Sequence, residues 1–343
     1  MYAYPGDDIA DIADDLVDGQ RLVIAEGTYE TAKTISVSAN ASVEGAGLDR
    51  TVISFTSSDK SFRIRAMNTH VSGVTIRGGR STGGKDIVWV EHGTLADSRI
   101  TQCIVENAIY QYKTLQIDAG ALVERCIIDH CTNTTSQGMN SWTYSRASAA
   151  VVGGTMRNCL IHHNYSAASE GTVYVKGGVM ENCTIVDNTN NGRTLEAVAL
   201  MLGNDATIRN TVAARNLSPN WTTNHVDTST LETPMQGSPP NWAADGKRSG
   251  GHMVSASDNC WGESPETYGT HCADGSRISF VNPANGDWRI GVNSSCRDAG
   301  RLNADWMTAD AIDLAGKPRV FHGAVDIGCY ENQGSPSTVL MLQ

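Results

Sequence analysis

Three short segments of the chain carry charged and aromatic residues at alternate positions. They read DIVWVEHG (86–93), KTLQIDAG (113–120) and GTVYVKGG (171–178). Successive side chains of a strand point to opposite faces, so each segment directs apolar residues inward and the others outward. The outward set is Trp89, Glu91, Gln116, Asp118, Tyr174 and Lys176, and the inward set is Val88, Val90, Leu115, Ile117, Val173 and Val175. Carboxylates, an ammonium group and aromatic rings on one surface can perform acid–base chemistry, hold a divalent cation and stack on a ring.

The segments that lead into these strands are long and polar. They contribute Tyr110, Tyr112 and Lys113 (106–113), Trp142, Tyr144 and Arg146 (132–148), Tyr165 and Glu170 (164–171), and Arg193 (188–196). Loops on a rigid scaffold commonly carry function. These residues therefore predict the wall of a cleft beside the outward strip.

One pattern recurs along the chain, as GGTMRNCLIHHN (153–164) and GGVMENCTIVDN (177–188). Aligned on the Asn before Cys, the equivalent positions are Gly45, Gly73, Asp97, Arg125, Asn158, Asn182 and Asn210, at intervals of 28, 24, 28, 33, 24 and 28 residues. A period in the twenties with short β-branched strands predicts a solenoid, because one coil cannot bury its own core. In the register that this alignment suggests, Val152 stands between Asp118 and Lys176, and Ala150 between Gln116 and Tyr174.

Most of the repeated residues have a structural interpretation. Cys126, Cys159 and Cys183 recur at one position and are expected to stack inside as small apolar groups. Asn164, Asn188 and Asn216 are expected to bridge neighbouring coils through their side-chain amides. The segment DDIADIADDLVDG (7–19) is the one strongly amphipathic helix, and we expect it to cap the open end of the stack.

The composition excludes several classes of protein. The 343 residues carry a net charge of −11, which argues against a general nucleic-acid binder, and no apolar run is long enough for a membrane span. The acidic N-terminus is no signal peptide, so either the protein is cytoplasmic or a leader is absent from this sequence. Nine cysteines leave at least one unpaired, and Cys260–Cys272 and Cys296–Cys329 are the pairings to test as disulfides.

Both ends of the chain match a known pattern. DGQRLVIAEGTYETAKTISVSANASVEGAGLDRTVI (18–53) resembles the opening coil of right-handed parallel β-helix proteins of the pectin-lyase-like superfamily. NPANGDWRIGVNSSCRDAG (282–300), DLAGKPRV (313–320) and AVDIGCYE (324–331) resemble the end of a secreted bacterial variety. The resemblance implies a single all-β domain over 1–343, in which the β-helix runs from about residue 20 to 331. It also implies a loop insertion at 217–257 and closing coils at 282–331. It also implies an extracellular or periplasmic protein whose leader is absent from this sequence, as a monomer or homotrimer.

Members of the superfamily are mostly polysaccharide-active enzymes, tailspikes and adhesins. The pectate-lyase and polygalacturonase signatures are absent here, so no catalytic residue can be carried over. The outward strip favours a polysaccharide lyase that acts on an acidic polymer by β-elimination. Lys113 or Lys176 would be the base and Tyr112, Tyr144 or Tyr174 the acid, while Arg146, or a Ca²⁺ ion held by Glu91 and Asp118, would neutralise the uronate. Trp89, Tyr112, Trp142, Tyr144 and Glu170 would bind the sugar.

Two other functions remain open. A glycoside hydrolase would use Glu91 with Asp118 or Glu170, since one coil of separation gives about 5 Å, near the spacing of a retaining pair. A tailspike-like adhesin would bind polysaccharide with no catalysis, its outward charges simply solvated or paired with neighbours. His130, His162 and His163 lie at a turn, where solvent-facing or hydrogen-bonded histidines are common. If neither lysine is the base, His130, His162 or Arg146 is the next residue to test.

Overall fold

The computed structural model describes residues 1–83, 85–106, 112–134, 149–166, 172–190, 199–202, 205–217, 247–249, 252–257, 259–261, 273–302 and 305–334. Over these residues the chain forms a parallel β-helix, in which most strands pair with the equivalent strand of the next coil. Arg157 lies opposite Glu181, so positions 158 and 182 are in adjacent coils. The predicted all-β solenoid with an N-terminal cap helix is confirmed.

Four sheets of stacked strands run along the described part of the helix. The eleven-stranded sheet contains Tyr2–Ala3, Arg21–Ile24, Ser42–Gly45, His70–Ser72, Thr94–Ala96, Leu122–Glu124, Thr155–Arg157, Val179–Glu181, Thr207–Arg209, His252–Ser257 and the antiparallel edge strand Lys247–Ser249. The nine-stranded sheet contains Gly27–Thr31, Thr51–Phe55, Thr75–Arg77, Arg99–Thr101, Ile127–Asp129, Leu160–His162, Thr184–Val186, Val212–Ala214 and Cys260–Trp261. The seven-stranded sheet contains Ile35–Val37, Phe62–Ile64, Val88–Val90, Leu115–Ile117, Ala150–Val152, Val173–Val175 and Leu200–Leu202. The five-stranded sheet contains Arg80–Ser81, Ile104–Val105, Thr132–Asn133, Tyr165–Ser166 and Thr189–Asn190.

The repeat position is a left-handed corner of the coil. From the second coil onward its residues have positive φ: Gly73 (68°), Asp97 (46°), Arg125 (49°), Asn158 (51°), Asn182 (49°) and Asn210 (48°). Gly and Asn tolerate this conformation better than other residues. The recurrence that aligns the coils is therefore a turn requirement.

Two predicted ladders are present inside the helix. Cys126, Cys159 and Cys183 are fully buried in the apolar core. Asn164 Nδ2 donates to Asn188 Oδ1 at 3.0 Å, and Asn188 Nδ2 donates to Asn216 Oδ1 at 2.9 Å. The amides thus join three consecutive coils, as predicted.

The cap helix is shorter than the amphipathic pattern suggests. It spans Ile9–Asp14, begins at the N-cap Asp8, whose side chain accepts from the backbone N–H of Ala10, and buries Ile9, Ala10 and Ala13. Beyond the helix Leu16 is still buried in the core, whereas Val17 is 58% exposed, so the chain leaves the core at residue 17. In the described part of the chain no helix is long and apolar enough to cross a membrane.

The segment from residue 273 packs on the outer face of the nine-stranded sheet. It contains an antiparallel pair, Phe280–Asn282 with Asp287–Ile290, and two short 3₁₀ helices, Gly275–Arg277 and Pro283–Asn285. Within the strand Thr184–Val186, Ile185 belongs to the interior core and Val186 to a second core that contains Trp288 and Ile290. This second core therefore lies outside the helix.

The predicted pairing of Cys296 with Cys329 is wrong, because Cys329 is a free, buried thiol. Both cysteines pack in the outer core, where each behaves as a small apolar group. The Cys260–Cys272 pairing lies outside the described side chains, as does most of the predicted insertion at 217–257.

Candidate active site

The seven-stranded sheet aligns the outward residues in two parallel rows. Val88 and Val90 are fully buried, and Trp89 between them lies opposite Gln116 of the next strand. The register continues through Val151 to Tyr174, so the first row is Trp89, Gln116, Val151 and Tyr174. The second row consists of the residue that directly follows the end of each strand. These residues are Glu91, Asp118, Gly153 and Lys176.

The register inferred from the sequence is wrong by one residue in the coil of strand Ala150–Val152. Ala150 and Val152 are fully buried in the interior core, and the residue that pairs in register with Gln116 and Tyr174 is Val151. Because strand side chains alternate with a period of two, a slip of one residue exchanges the faces. The corrected row still places Glu91, Asp118 and Lys176 on one sheet.

Glu91 lies at one end of the charged row and is bound by two arginines. Its Oε1 accepts from Arg63 Nε at 2.8 Å, and it lies 2.5 Å from Arg63 Nη2 and 3.4 Å from Arg65 Nε. The Arg63 guanidinium also stacks over Trp89, 4.4 Å from the ring centroid. Cationic groups thus already neutralise Glu91 in this structure.

Asp118 is held by the neighbouring row. Trp89 Nε1 donates to Asp118 Oδ2 at 2.7 Å, and Gln116 Nε2 donates to Oδ1 at 2.8 Å. The Gln116 Oε1 and Thr114 Oγ1 atoms are buried and, within the described residues, accept or donate no hydrogen bond. Both atoms are therefore covered polar groups on the outward side of this strand.

Lys113 is the most unusual member of the group, because it is only 8% exposed. Burial lowers the pKa of its ammonium group, and the nearby carboxylates of Asp86 and Asp118 oppose that effect. Asp86 Oδ1 accepts from the backbone N–H of Lys113 at 2.7 Å, and burial raises the pKa of Asp86. The pair brings a lysine and a carboxyl together, each displaced toward its neutral form.

Sequence reasoning missed Asp86. The residue stands two positions before the strand Val88–Val90, where the alternation that marks outward residues has not begun. Its proximity to Lys113 follows from the stacking of the two coils, since the N–H of Ile87 donates to the carbonyl of Lys113.

The other predicted residues have different surroundings. Tyr174 is 1% exposed, so its ring is covered, although the register directs it outward. Tyr112 is partly buried and packs against the interior core. Lys176 is exposed at the far end of the charged row. The predicted residues Trp142, Tyr144, Arg146 and Glu170 lie outside the described residues.

Among the described residues, two groups of carboxylates could bind a metal ion. Glu91 and Asp118 are engaged as described above, and their Ca²⁺ site stays a prediction. Asp298, Asp326 and Glu331 have oxygens within 4.8 Å of one another near the C-terminus. There Asp326 accepts from the N–H groups of Asp298 and Asn332, and Glu331 Oε2 accepts from Asp326 N, so these carboxylates close a turn.

The three candidate histidines, His130, His162 and His163, lie in or directly after strands of the nine-stranded sheet, away from the charged row. His162 pairs in register with Asp129, and His130 and His163 follow at left-handed corners with φ of 51° and 52°. Burial lowers the pKa of His162 to about 4. These residues cannot act together with Lys113, because they stand on a different sheet.

The fold and the charged row define a parallel β-helix with a candidate site on one sheet. No protein-family model and no curated protein sequence matches this chain. Among solved structures the chain is similar to an alginate lyase from Paenibacillus sp. str. FPU-7, with 13% identity over 77% of this chain and 87% of that chain and a TM-score of 0.34. It is also similar to a mutant of the PL6-family alginate lyase AlyGC, with 12% identity, 83% and 54% coverage and a TM-score of 0.24. A third is the A-module of the Azotobacter vinelandii mannuronan C-5 epimerase AlgE4, with 12% identity, 77% and 93% coverage and a TM-score of 0.23.

Proposed function

We propose that the chain is an extracellular enzyme that cleaves an acidic polysaccharide by β-elimination, at the charged row of the seven-stranded sheet. The observation that carries the proposal is the buried Lys113 beside Asp86 and Asp118. An exposed lysine is protonated at neutral pH and cannot accept a proton, whereas burial favours its neutral form.

The chemistry has three requirements. The uronate carboxylate must be neutralised, the C5 proton must be removed, and the leaving oxygen must be protonated. Lys113 is the proposed base, and the exposed ammonium of Lys176 is the proposed partner of the uronate carboxylate. Trp89 offers its ring to the sugar, and the acid is one of the predicted tyrosines, Tyr112 or Tyr144.

Asp86 and Asp118 have a supporting role in this scheme. Their negative charges raise the pKa of Lys113 against the effect of burial. The pKa of Lys113 is therefore lowered less than burial alone would lower it, which suits a base that must gain a proton and lose it again in each turnover. A Ca²⁺ ion on Glu91 and Asp118 would supply the neutralising charge only if the arginines moved away from Glu91.

A glycoside hydrolase is the second candidate, and one observation favours it. The raised pKa of Asp86 is what a general acid needs, and Asp118 is close enough to affect that pKa. In this scheme Asp86 protonates the leaving oxygen, and Asp118 is the nucleophile or base.

The test is an assay of the full chain on uronic-acid polymers and on neutral polysaccharides. Alginate belongs in the panel because the similar structures include alginate lyases. Elimination creates an unsaturated uronate that absorbs in the ultraviolet, while hydrolysis creates reducing ends without that band. Binding with neither product would refute both enzymatic proposals and favour the adhesin.

Lysine variants then test the assignment of the base. Lys113→Met should stay folded, because methionine keeps a stem of similar length and leaves no charge to bury, and should lose roughly 10²–10⁴ in rate. Lys176→Met should chiefly raise KM, and Lys317→Met, an exposed lysine in the C-terminal segment, is the matched control. Elimination at the parent rate by a folded Lys113→Met variant would contradict the assignment. A calcium titration of the parent checks the metal prediction, since no change in melting temperature would remove that site.

A further inference from the structure

Two neighbouring coils bring three imidazole rings together on the nine-stranded sheet. The ring centroids of His130 and His163 are 5.3 Å apart, those of His162 and His163 are 5.0 Å apart, and those of His130 and His162 are 5.9 Å apart. The proposed polysaccharide site does not use this cluster, which stands on another sheet.

Two nitrogens of the cluster point at each other. His162 Nδ1 lies 2.7 Å from His163 Nδ1. Imidazole nitrogens bind transition metals at about 2.0–2.1 Å, so two of them at right angles around one ion are about 2.9 Å apart. The observed separation is close to that of two adjacent ligands, so a rotation of the two rings that breaks their hydrogen bond would direct both nitrogens at one ion.

We propose that His162 and His163 form a two-nitrogen site for a divalent transition-metal ion, with water in the remaining positions. Neutral imidazole suits Cu²⁺, Ni²⁺ and Zn²⁺, and among these Cu²⁺ binds most tightly in the usual order of affinities. The hard, oxygen-preferring ions Ca²⁺ and Mg²⁺ are excluded from this site by the same donor chemistry.

A buried carboxylate supports the first ligand. Asp129 is fully buried and accepts from Arg99 Nε at 3.0 Å, and its Oδ2 lies 2.9 Å from His130 Nδ1 and 3.7 Å from His162 Nε2, just beyond hydrogen-bond distance of the latter. A metal-binding histidine commonly directs its second ring nitrogen to a carboxylate, which fixes the tautomer that leaves the other nitrogen free for the metal. A shift of a few tenths of an ångström would bring His162 Nε2 within hydrogen-bond distance of Asp129, which would leave His162 Nδ1 free for the metal.

The outer core fixes the position of both rings. Trp288 is 1% exposed, and its ring centroid lies 6.4 Å from that of His162 and 6.1 Å from that of His163. Because the indole is held by the segment that covers the sheet, it limits how far either histidine can turn. Its closeness also gives an optical probe, since Cu²⁺ bound here would quench Trp288 fluorescence.

The experiment is a titration of the full chain with CuCl₂, NiCl₂ or ZnCl₂ at pH 7.5, in a buffer that does not bind metals. Calorimetry gives affinity and stoichiometry, and electron paramagnetic resonance of the Cu²⁺ form counts bound nitrogens. We expect one site whose Cu²⁺ spectrum shows two imidazole nitrogens. His163→Ala should weaken this site at least tenfold, whereas His92→Ala, which removes an exposed histidine on another sheet, should leave it unchanged.

Two further variants separate the site from other copper-binding groups. Trp288→Phe should keep the affinity and lose part of the quenching, and Asp129→Asn should weaken binding by about 10–100-fold if the carboxylate supports His162. Equal affinity of the parent and of a folded His163→Ala variant would overturn the proposal. It would also fail if the Cu²⁺ spectrum of the parent showed no imidazole nitrogen, because the two histidines would then share only a hydrogen bond.

Discussion

Replacing Glu331 by glutamine should make the fold more stable at high pH and leave it unchanged at low pH. Glu331 is 4% exposed, its Oε2 accepts from Asp326 N at 2.9 Å, and its Oε1 has no hydrogen-bond partner among the described residues. Burial raises its pKa from 4.5 to about 8, even though Arg319 lies 3.5 Å away and opposes that effect. Glutamine keeps the acceptor and cannot ionise.

The magnitude follows from the change in pKa. A folded-state pKa above the unfolded value means that the stabilising effect is fully present below about pH 4.5 and is lost as pH rises to about 8. A difference of about 3.5 units at 1.36 kcal/mol per unit gives an upper value of roughly 5 kcal/mol. Water that enters the site reduces this value, so we expect about 2–5 kcal/mol. With about 2.1 cal/mol/K per residue, that is a shift in Tm of about 3–7 °C for this chain.

The assay is urea unfolding, followed by circular dichroism, of the parent and Glu331→Gln at pH 5, 7 and 9. The difference in the free energy of unfolding should be below about 1 kcal/mol at pH 5 and should favour the variant increasingly toward pH 9. Glu44→Gln is the control, because Arg21 lowers the pKa of Glu44 at the surface and an exposed pair is worth about 1 kcal/mol or less. A difference between parent and Glu331→Gln that is equal at pH 5 and pH 9 would refute the reasoning, since Glu331 would then be ionised and paired with Arg319.

Two predictions concern the interior ladders. Asn188→Ala should lower the free energy of unfolding by about 3–5 kcal/mol, because it leaves several buried amide and carbonyl groups unpaired. The control Asn68→Ala, at an exposed position, should change it by less than about 0.5 kcal/mol. Urea unfolding measures both variants, and equal effects would contradict the role of the ladder. Cys126, Cys159 and Cys183 should not react with a disulfide reagent in the native protein and should react at once in urea. The measurement is the number of thiols titrated before and after unfolding, and three extra reactive thiols or more are expected.

The coils could be predicted from the sequence because two periodicities agree there. Val88, Trp89 and Val90 alternate between apolar and outward positions with a period of two, and the same alternation returns one coil later at Leu115, Gln116 and Ile117. Where the alternation is absent the prediction failed. Ala150, Val151 and Val152 are all small or apolar, so nothing in their sequence distinguishes the two faces.

Burial at the candidate site could not be predicted, because it depends on contacts between coils. Lys113 and Tyr174 were expected at an accessible surface, yet they are 8% and 1% exposed. Their local sequence shows which way a strand residue points but not what covers it. Asp86 became a candidate only when the stacking of coils placed it beside Lys113.

The left-handed corners are also where the end of the chain is attached to its middle. Asn158 Nδ2 donates to the carbonyl of Ile312, 154 residues later, and Asn210 Nδ2 donates to that of Arg301, 91 residues later. Coils near the N-terminus can stack as soon as they leave the ribosome, because each needs only its neighbour. The coils of Asn158 and Asn210 must wait for more than 90 further residues before their corner amides find these partners. Folding of the middle third of this chain is therefore completed only after its last third has been synthesised, and a nascent chain stopped before residue 301 leaves these amides exposed to water or to a chaperone.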